Sequence, residues 1–113
     1  MNLRRRGYLW EDKKDIWPKD VKVEKVMVKT RQGPRTMGGA QSADEAWLVV
    51  DFSVPKTGDK VTIRTMVYPK SVVERGKKDM VSSMRSAVSV FLRNGRSGGG
   101  ISQMGNELMW SGR

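Results

Sequence analysis

Arginine and lysine supply most of the side chains in this sequence that could act on a partner. They number 22 against 12 aspartates and glutamates, a formal charge of +10 over 113 residues, with no histidine and no cysteine. Guanidinium and ammonium groups bind phosphate oxygens through charge-assisted hydrogen bonds. The cations are spread along the chain: Arg4-Arg5-Arg6, Lys13-Lys14, Lys22, Lys25, Lys29, Arg31, Arg35, Lys60, Arg64, Lys77-Lys78, Arg93 and Arg96. Distributed charge suits a broad surface that follows a phosphate backbone, where counterion release supplies the affinity. A helix lying on anionic membrane would instead set its cations opposite Trp, Phe and Leu, and no apolar run approaches the roughly 20 residues of a span. The expected partner is nucleic acid, and no membrane is expected.

The missing histidine and cysteine exclude a thiol nucleophile, a Ser-His triad, a zinc site on imidazole or thiolate, a disulfide framework and haem ligation. Asp51 with Glu45 or Asp59 offers no paired-carboxylate spacing suited to acid–base work. The chain is therefore expected to be no enzyme, with no cofactor and no metal. Its length fits a single domain over residues 1–113.

The elements that must position the cations follow from periodicity. Residues 1–20 read as a basic arm in which Gly7-Tyr8-Leu9-Trp10 could form a short edge strand. Residues 21–69 read as an antiparallel sheet. Val21 and Val23 alternate in one phase and Val26 and Val28 in the other, so a bulge is expected near Glu24-Lys25. After a loop over 32–44, Glu45 to Val54 is a strand with Leu48, Val50, Phe52 and Val54 on one face. Pro55 to Asp59 turns the chain into a third strand, Lys60 to Tyr68. Its inward set is Val61, Ile63, Thr65 and Val67; its outward set is Thr62, Arg64, Met66 and Tyr68. Residues 70–113 read as C-terminal helices. Ser71 with Glu74 matches a capping box, Gly76 shifts the firm helix start to near Lys77, and the 3.6 period runs to Asn94-Gly95. Val73, Met80, Met84, Val88 and Phe91 share one helix face, with Val81, Ala87 and Leu92 beside them. Lys78, Ser82, Arg85, Ser89 and Arg93 lie opposite. Ile101 to Trp110 reads as a short second helix with Ile101, Met104 and Leu108 as its apolar side.

These pieces predict an α+β fold: an antiparallel β-sheet meander with a long C-terminal helix and a short second helix packed on one face, dimeric. The helix-free face would carry Lys25, Met27, Lys29 and Arg31, then Trp47, Val49, Asp51 and Ser53, then Thr62, Arg64 and Tyr68. Cations beside aromatic and hydroxyl groups can hold phosphates and stack bases. Three strands with one helix make a thin core with two open edges. Two copies pairing edge to edge and exchanging helices would remove both difficulties, and a two-fold dimer is the commonest oligomer.

In the order of its elements the chain resembles the coat proteins of the single-stranded RNA bacteriophages, the levivirus-type coat family. The matching segments are Val26-Met27-Val28-Lys29-Thr30-Arg31-Gln32, then Trp47 to Lys56 with its Val54-Pro55, then Thr62 to Pro69. Val81 to Gly95 follows, ending Phe91-Leu92-Arg93-Asn94-Gly95, and then Ile101 to Trp110. The resemblance covers about residues 21–110 and lies in pattern and order. It implies a coat dimer with one continuous sheet, helices clasping the neighbouring subunit, and assembly into an icosahedral shell in the virion, built in the host cytoplasm. The helix-free face would lie inside and bind genomic RNA, in some members also an operator hairpin. Carried over by position, the RNA-binding residues would be Met27, Lys29, Arg31, Asp51, Ser53, Thr62 and Arg64, with Val49 among them and Lys25 and Tyr68 at the border. Val49 and Asp51 are poor RNA ligands, so charge-driven packaging is expected.

The rival is a small non-catalytic RNA-binding protein, similar to a double-stranded-RNA-binding domain, that forms no shell. Gly33-Pro34 and Gly76-Lys77-Lys78 suit it. Residues 1–20 make a poor first helix for it, and Met80 and Met84 stand where that family prefers small alanines.

Overall fold

The computed structural model describes residues 15–34 and 44–112. The Arg4-Arg5-Arg6 arm, the candidate strand at residues 7–10 and most of the 32–44 loop lie outside the described residues. Strands β1 (Lys22–Arg31), β2 (Glu45–Val54) and β3 (Asp59–Thr65) form the antiparallel meander that alternation predicts. Leu48, Val50, Phe52 and Val54 are buried, with Val50 between Val26 and Ile63 and Phe52 between Val23 and Val61. The phase slip is a bulge. Val23 faces Phe52 and Lys25 faces Asp51, so Glu24 is the extra residue and Val26 and Val28 return to the apolar side.

Helix α1 (Lys70–Arg93) lies on that side and buries Val73, Met84, Ala87, Val88, Phe91 and Leu92. Its start differs from the capping-box expectation. The N-cap is Pro69, whose extended backbone (φ −56°, ψ 141°) meets the helix without any side-chain cap, and Ser71 lies inside the first turn. The Lys70 N–H is satisfied instead by the Asp44 carbonyl at 2.9 Å, and Gly76 does not delay the helix. The C-terminus follows the Asn94-Gly95 expectation. The Arg96 N–H donates to Phe91 O (2.7 Å) and the Gly95 N–H to Leu92 O (3.4 Å), with Gly95 left-handed at φ 71°.

Ser89, expected on the solvent side, is 1% exposed and donates to Ser86 O at 2.7 Å. A second layer buries it. Ile16 is fully buried, and a 3-10 turn at Pro18–Asp20 packs the N-terminal segment against α1. Asp20 holds that turn: its carboxylate accepts the Trp17 backbone N–H at 2.9 Å and pairs with Lys56 at 3.3 Å. The Trp17 hydrogen bond, seconded by Lys56, lowers its pKa from the ordinary 3.8.

The largest departure lies at the C-terminus. Ile101 to Trp110 is not a second helix; it is an antiparallel hairpin of β5 (Ile101–Met104) and β6 (Glu107–Trp110). The two-residue loop Gly105-Asn106 places Gly105 at φ 63°, which suits a type II′ turn with glycine first. The outer edge of β3 would otherwise lack ladder partners, and β6 fills it in parallel, setting Leu108 beside Ile63 and Trp110 beside Thr65. Among the described residues the sheet is therefore mixed and six-stranded, in the order β1-β2-β3-β6-β5, with the short β4 (Tyr68–Pro69) beside β2. The link into β5 passes close over α1: a Cβ built at Gly99 (φ 70°) would lie 2.4 Å from the Ala87 carbonyl oxygen.

A second irregularity moves Tyr68. Continuing the β2–β3 register would bring Val67 opposite Ala46, but Tyr68 takes that place, one residue late. The Thr65 hydroxyl bridges the gap by accepting the Leu48 N–H (3.0 Å) and donating to Met66 O (2.8 Å). β3 thus ends at Thr65, Val67 falls outside it, and Tyr68 packs against the apolar core rather than outward.

Candidate nucleic-acid interface

Pairing places residues directly opposite one another on the same face of a sheet. Four transverse rows follow on the side away from α1: Lys22–Ser53–Lys60, Lys25–Asp51–Thr62, Met27–Val49–Arg64–Met109 and Lys29–Trp47, with Arg31–Glu45 at the end. Eight of the nine expected RNA-binding residues are brought together here. Tyr68 is not among them, because the one-residue slip after Thr65 turns it toward the helix side.

The surface is less uniformly cationic than the strand pattern suggests. Arg31 Nε donates to Glu45 Oε1 at 2.8 Å. Arg64 is more tightly held. Its Nε donates to Thr65 O (3.0 Å), its Nη1 lies 3.5 Å from Glu107 Oε1, and its guanidinium sits 5.1 Å from the Trp47 ring centroid. The Thr65 carbonyl is available to it because the chain leaves the regular ladder there. Arg64 therefore ties β3 to β6 and Trp47 as well as adding charge. Lys22, Lys25, Lys29 and Lys60 are exposed and form no ion pair among the described residues. These four carry the available positive charge of the face.

The two carboxylates at the bulged end are occupied by hydroxyls. Thr62 Oγ1 donates to Asp51 Oδ1, and Ser53 Oγ to Glu24 Oε2, each at 2.6 Å. Ser53 is 7% exposed, so its hydroxyl positions Glu24 rather than meeting a ligand. Glu24, Asp51, Ser53, Lys60 and Thr62 line a shallow depression of about 490 Å3. Met27 and Val49 form a half-buried apolar strip beside it. No group of three or more acidic side chains that could hold a metal occurs among the described residues.

Sequence reasoning nominated Arg31 and Arg64, placed Trp47 on this face without counting it among the RNA-binding residues, and passed over Lys22 and Lys60 there. Lys60 shares the phase of Thr62 and Arg64, so alternation held that signal. The ion pairs to Glu45 and Glu107 join residues far apart in the chain and have no local signature. Chemically, the face can bind phosphates through flexible lysines, and Trp47 braced by Arg64 offers a flat aromatic edge. No protein-family model, curated protein or solved structure matches the chain.

Proposed function

We propose that this chain is a non-catalytic coat protein of an RNA phage that binds genomic RNA through the helix-free face of its sheet. One observation carries the reading. Among the described residues α1 covers one side of the sheet, and the other side presents Lys22, Lys25, Lys29 and Lys60 exposed and without ion-pair partners, although Glu24 and Asp51 lie on the same face. A lysine set of this kind gives salt-sensitive binding with little sequence preference, as packaging requires.

Dimerisation and shell assembly belong to the same proposal. With a hairpin in place of the second helix, the clasp between copies rests on α1 and on strand edges. The ten-residue β1 has β2 on one side only among the described residues. The double-stranded-RNA-binding rival is less favoured, because that family sets three strands between two helices, whereas here β5 and β6 follow α1 and extend the sheet.

Size-exclusion chromatography and negative-stain imaging of the expressed full chain test the proposal. Shell-sized particles with a high ratio of 260 to 280 nm absorbance are expected. Small oligomers that bind single-stranded RNA without assembling would remove the coat reading and keep the RNA reading. A preference for duplex over single-stranded RNA would favour the rival.

A further inference from the structure

Trp17 is 47% exposed, yet its ring is firmly mounted. The Arg93 guanidinium sits 4.1 Å from the ring centroid, and Nε1 donates to Asp15 Oδ1 at 2.5 Å. Arg93 in turn donates to the carbonyl of the fully buried Ile16 at 2.9 Å, which anchors the pair to the core. Asp15 and Asp20 share Lys56 Nζ at 3.6 and 3.3 Å, and with Arg93 on the ring the two carboxylates are matched by two cations. A large aromatic fixed in place but open to solvent contributes little to the core and offers a surface for stacking.

Further cations lie on the same side of α1 as this ring. Arg75 and Arg93 are eighteen residues apart, five full turns, so they lie on the same side about 27 Å apart. Between them Lys78, Ser82 and Arg85 follow at spacings of three and four residues; Ser89, next in the series, is buried, so the row breaks for about two turns before Arg93. Arg75, Lys78 and Arg85 form no ion pair among the described residues. Lys78, Ser82 and Arg85 also edge a shallow groove of about 230 Å3 against Val23 of β1.

We infer that this side of α1, from Arg75 to the Trp17–Arg93 pair, is a second binding surface for single-stranded nucleic acid, distinct from the bare sheet face. A row of separated cations matches a repeating anion, and the mounted ring matches the flat face of an unpaired base. Stacking on an aromatic beside arginine is sequence-tolerant and adds to phosphate contacts. A lipid surface fits poorly, since the exposed positions between the cations are Asp79, Ser82, Ser83 and Ser86 rather than large apolar groups.

The test is fluorescence anisotropy of labelled oligouridylate with the full chain, in wild type and in Lys25→Ala/Lys29→Ala, which weakens the sheet face separately. Trp17→Ala weakens binding about tenfold in both backgrounds, and Trp17→Phe, which keeps a ring, loses about threefold or less. Ser82→Glu sets a negative charge at an exposed position between Lys78 and Arg85 without touching the core, and weakens binding about fivefold with an unchanged unfolding midpoint. If Trp17→Ala proves poorly folded, Ser82→Glu decides. Undiminished binding in Ser82→Glu overturns the inference, as does a Trp17→Ala protein that folds and binds like wild type. Losses in these variants with no effect of Lys25→Ala/Lys29→Ala would keep this surface and remove the sheet-face reading. The reverse pattern removes this surface alone.

Discussion

Replacing Lys25 and Lys29 together by alanine is the most direct perturbation of the sheet face. Both are exposed, both stand on the side away from α1, and neither has an ion-pair partner among the described residues. Each phosphate neutralised on a single strand contributes about −0.7 to the slope of log affinity against log salt. Losing two contacts flattens the slope by about 1.4. Over a fourfold rise in salt, from about 50 to 200 mM, that is roughly a sevenfold smaller loss of affinity. The assay is anisotropy of a labelled single-stranded RNA at four or more salt concentrations. The paired arginine supplies the internal comparison. Arg31→Gln with Glu45→Gln removes one cation and its counter-charge together, so the slope should move by a few tenths at most. A double lysine variant with the wild-type slope would refute the placement of RNA on this face. A larger effect from Arg31→Gln/Glu45→Gln than from the lysines would show that ion-paired charge, not unpaired lysine, carries the contact.

Three further outcomes concern the framework that holds the two faces apart. Thr65→Val keeps shape but strands the buried Leu48 N–H, whose acceptor is the Thr65 hydroxyl, and should cost about 1–3 kcal/mol in urea unfolding. Thr65→Ser keeps the hydroxyl and should cost about 1 kcal/mol for the lost methyl; equal losses in the two variants would discount the hydrogen bond. Gly99→Ala combines a left-handed backbone with a Cβ 2.4 Å from the Ala87 carbonyl. It should destabilise by about 2–4 kcal/mol, and a wild-type melting temperature would refute the close approach. Asp20 has a lowered pKa, so its contribution is complete above the ordinary value of 3.8 and is lost as pH falls through its lower folded value. Wild type and Asp20→Asn should therefore differ in unfolding midpoint at neutral pH and converge in acid. A constant difference would refute the pairing.

Much of the sheet was legible because two-residue alternation is a local signal. Leu48, Val50 and Phe52 announce a buried face, and the shift from Val23 to Val26 announces the bulge at Glu24. The helix was equally plain from Val73 to Phe91, since its apolar stripe lies within one continuous segment. The C-terminal hairpin was not. Ile101, Met104 and Leu108 fit a helical spacing, and the Gly105-Asn106 turn signal is only two residues long. What settled it was the open edge of β3, a demand that belongs to another part of the chain. Tyr68 was misplaced for a related reason: an inserted residue near Thr65 reverses every side chain beyond it, and composition carries no mark of that register.

The sequence by itself determined the class of chemistry, an excess of cations with no imidazole or thiolate, and the apolar rows that make one side of the sheet a core. Tertiary structure alone decided which cations remain available. Arg31 and Arg64 look like Lys25 and Lys29 in a strand pattern, but folding brings Glu45 and Glu107 to the arginines and leaves the lysines in water. It also decided that Trp17 stands outside, braced by a residue 76 positions away in the chain, Arg93. Charge and periodicity are properties of neighbours along a chain, whereas ion pairs and ring contacts depend on distances that exist only once the layers have packed.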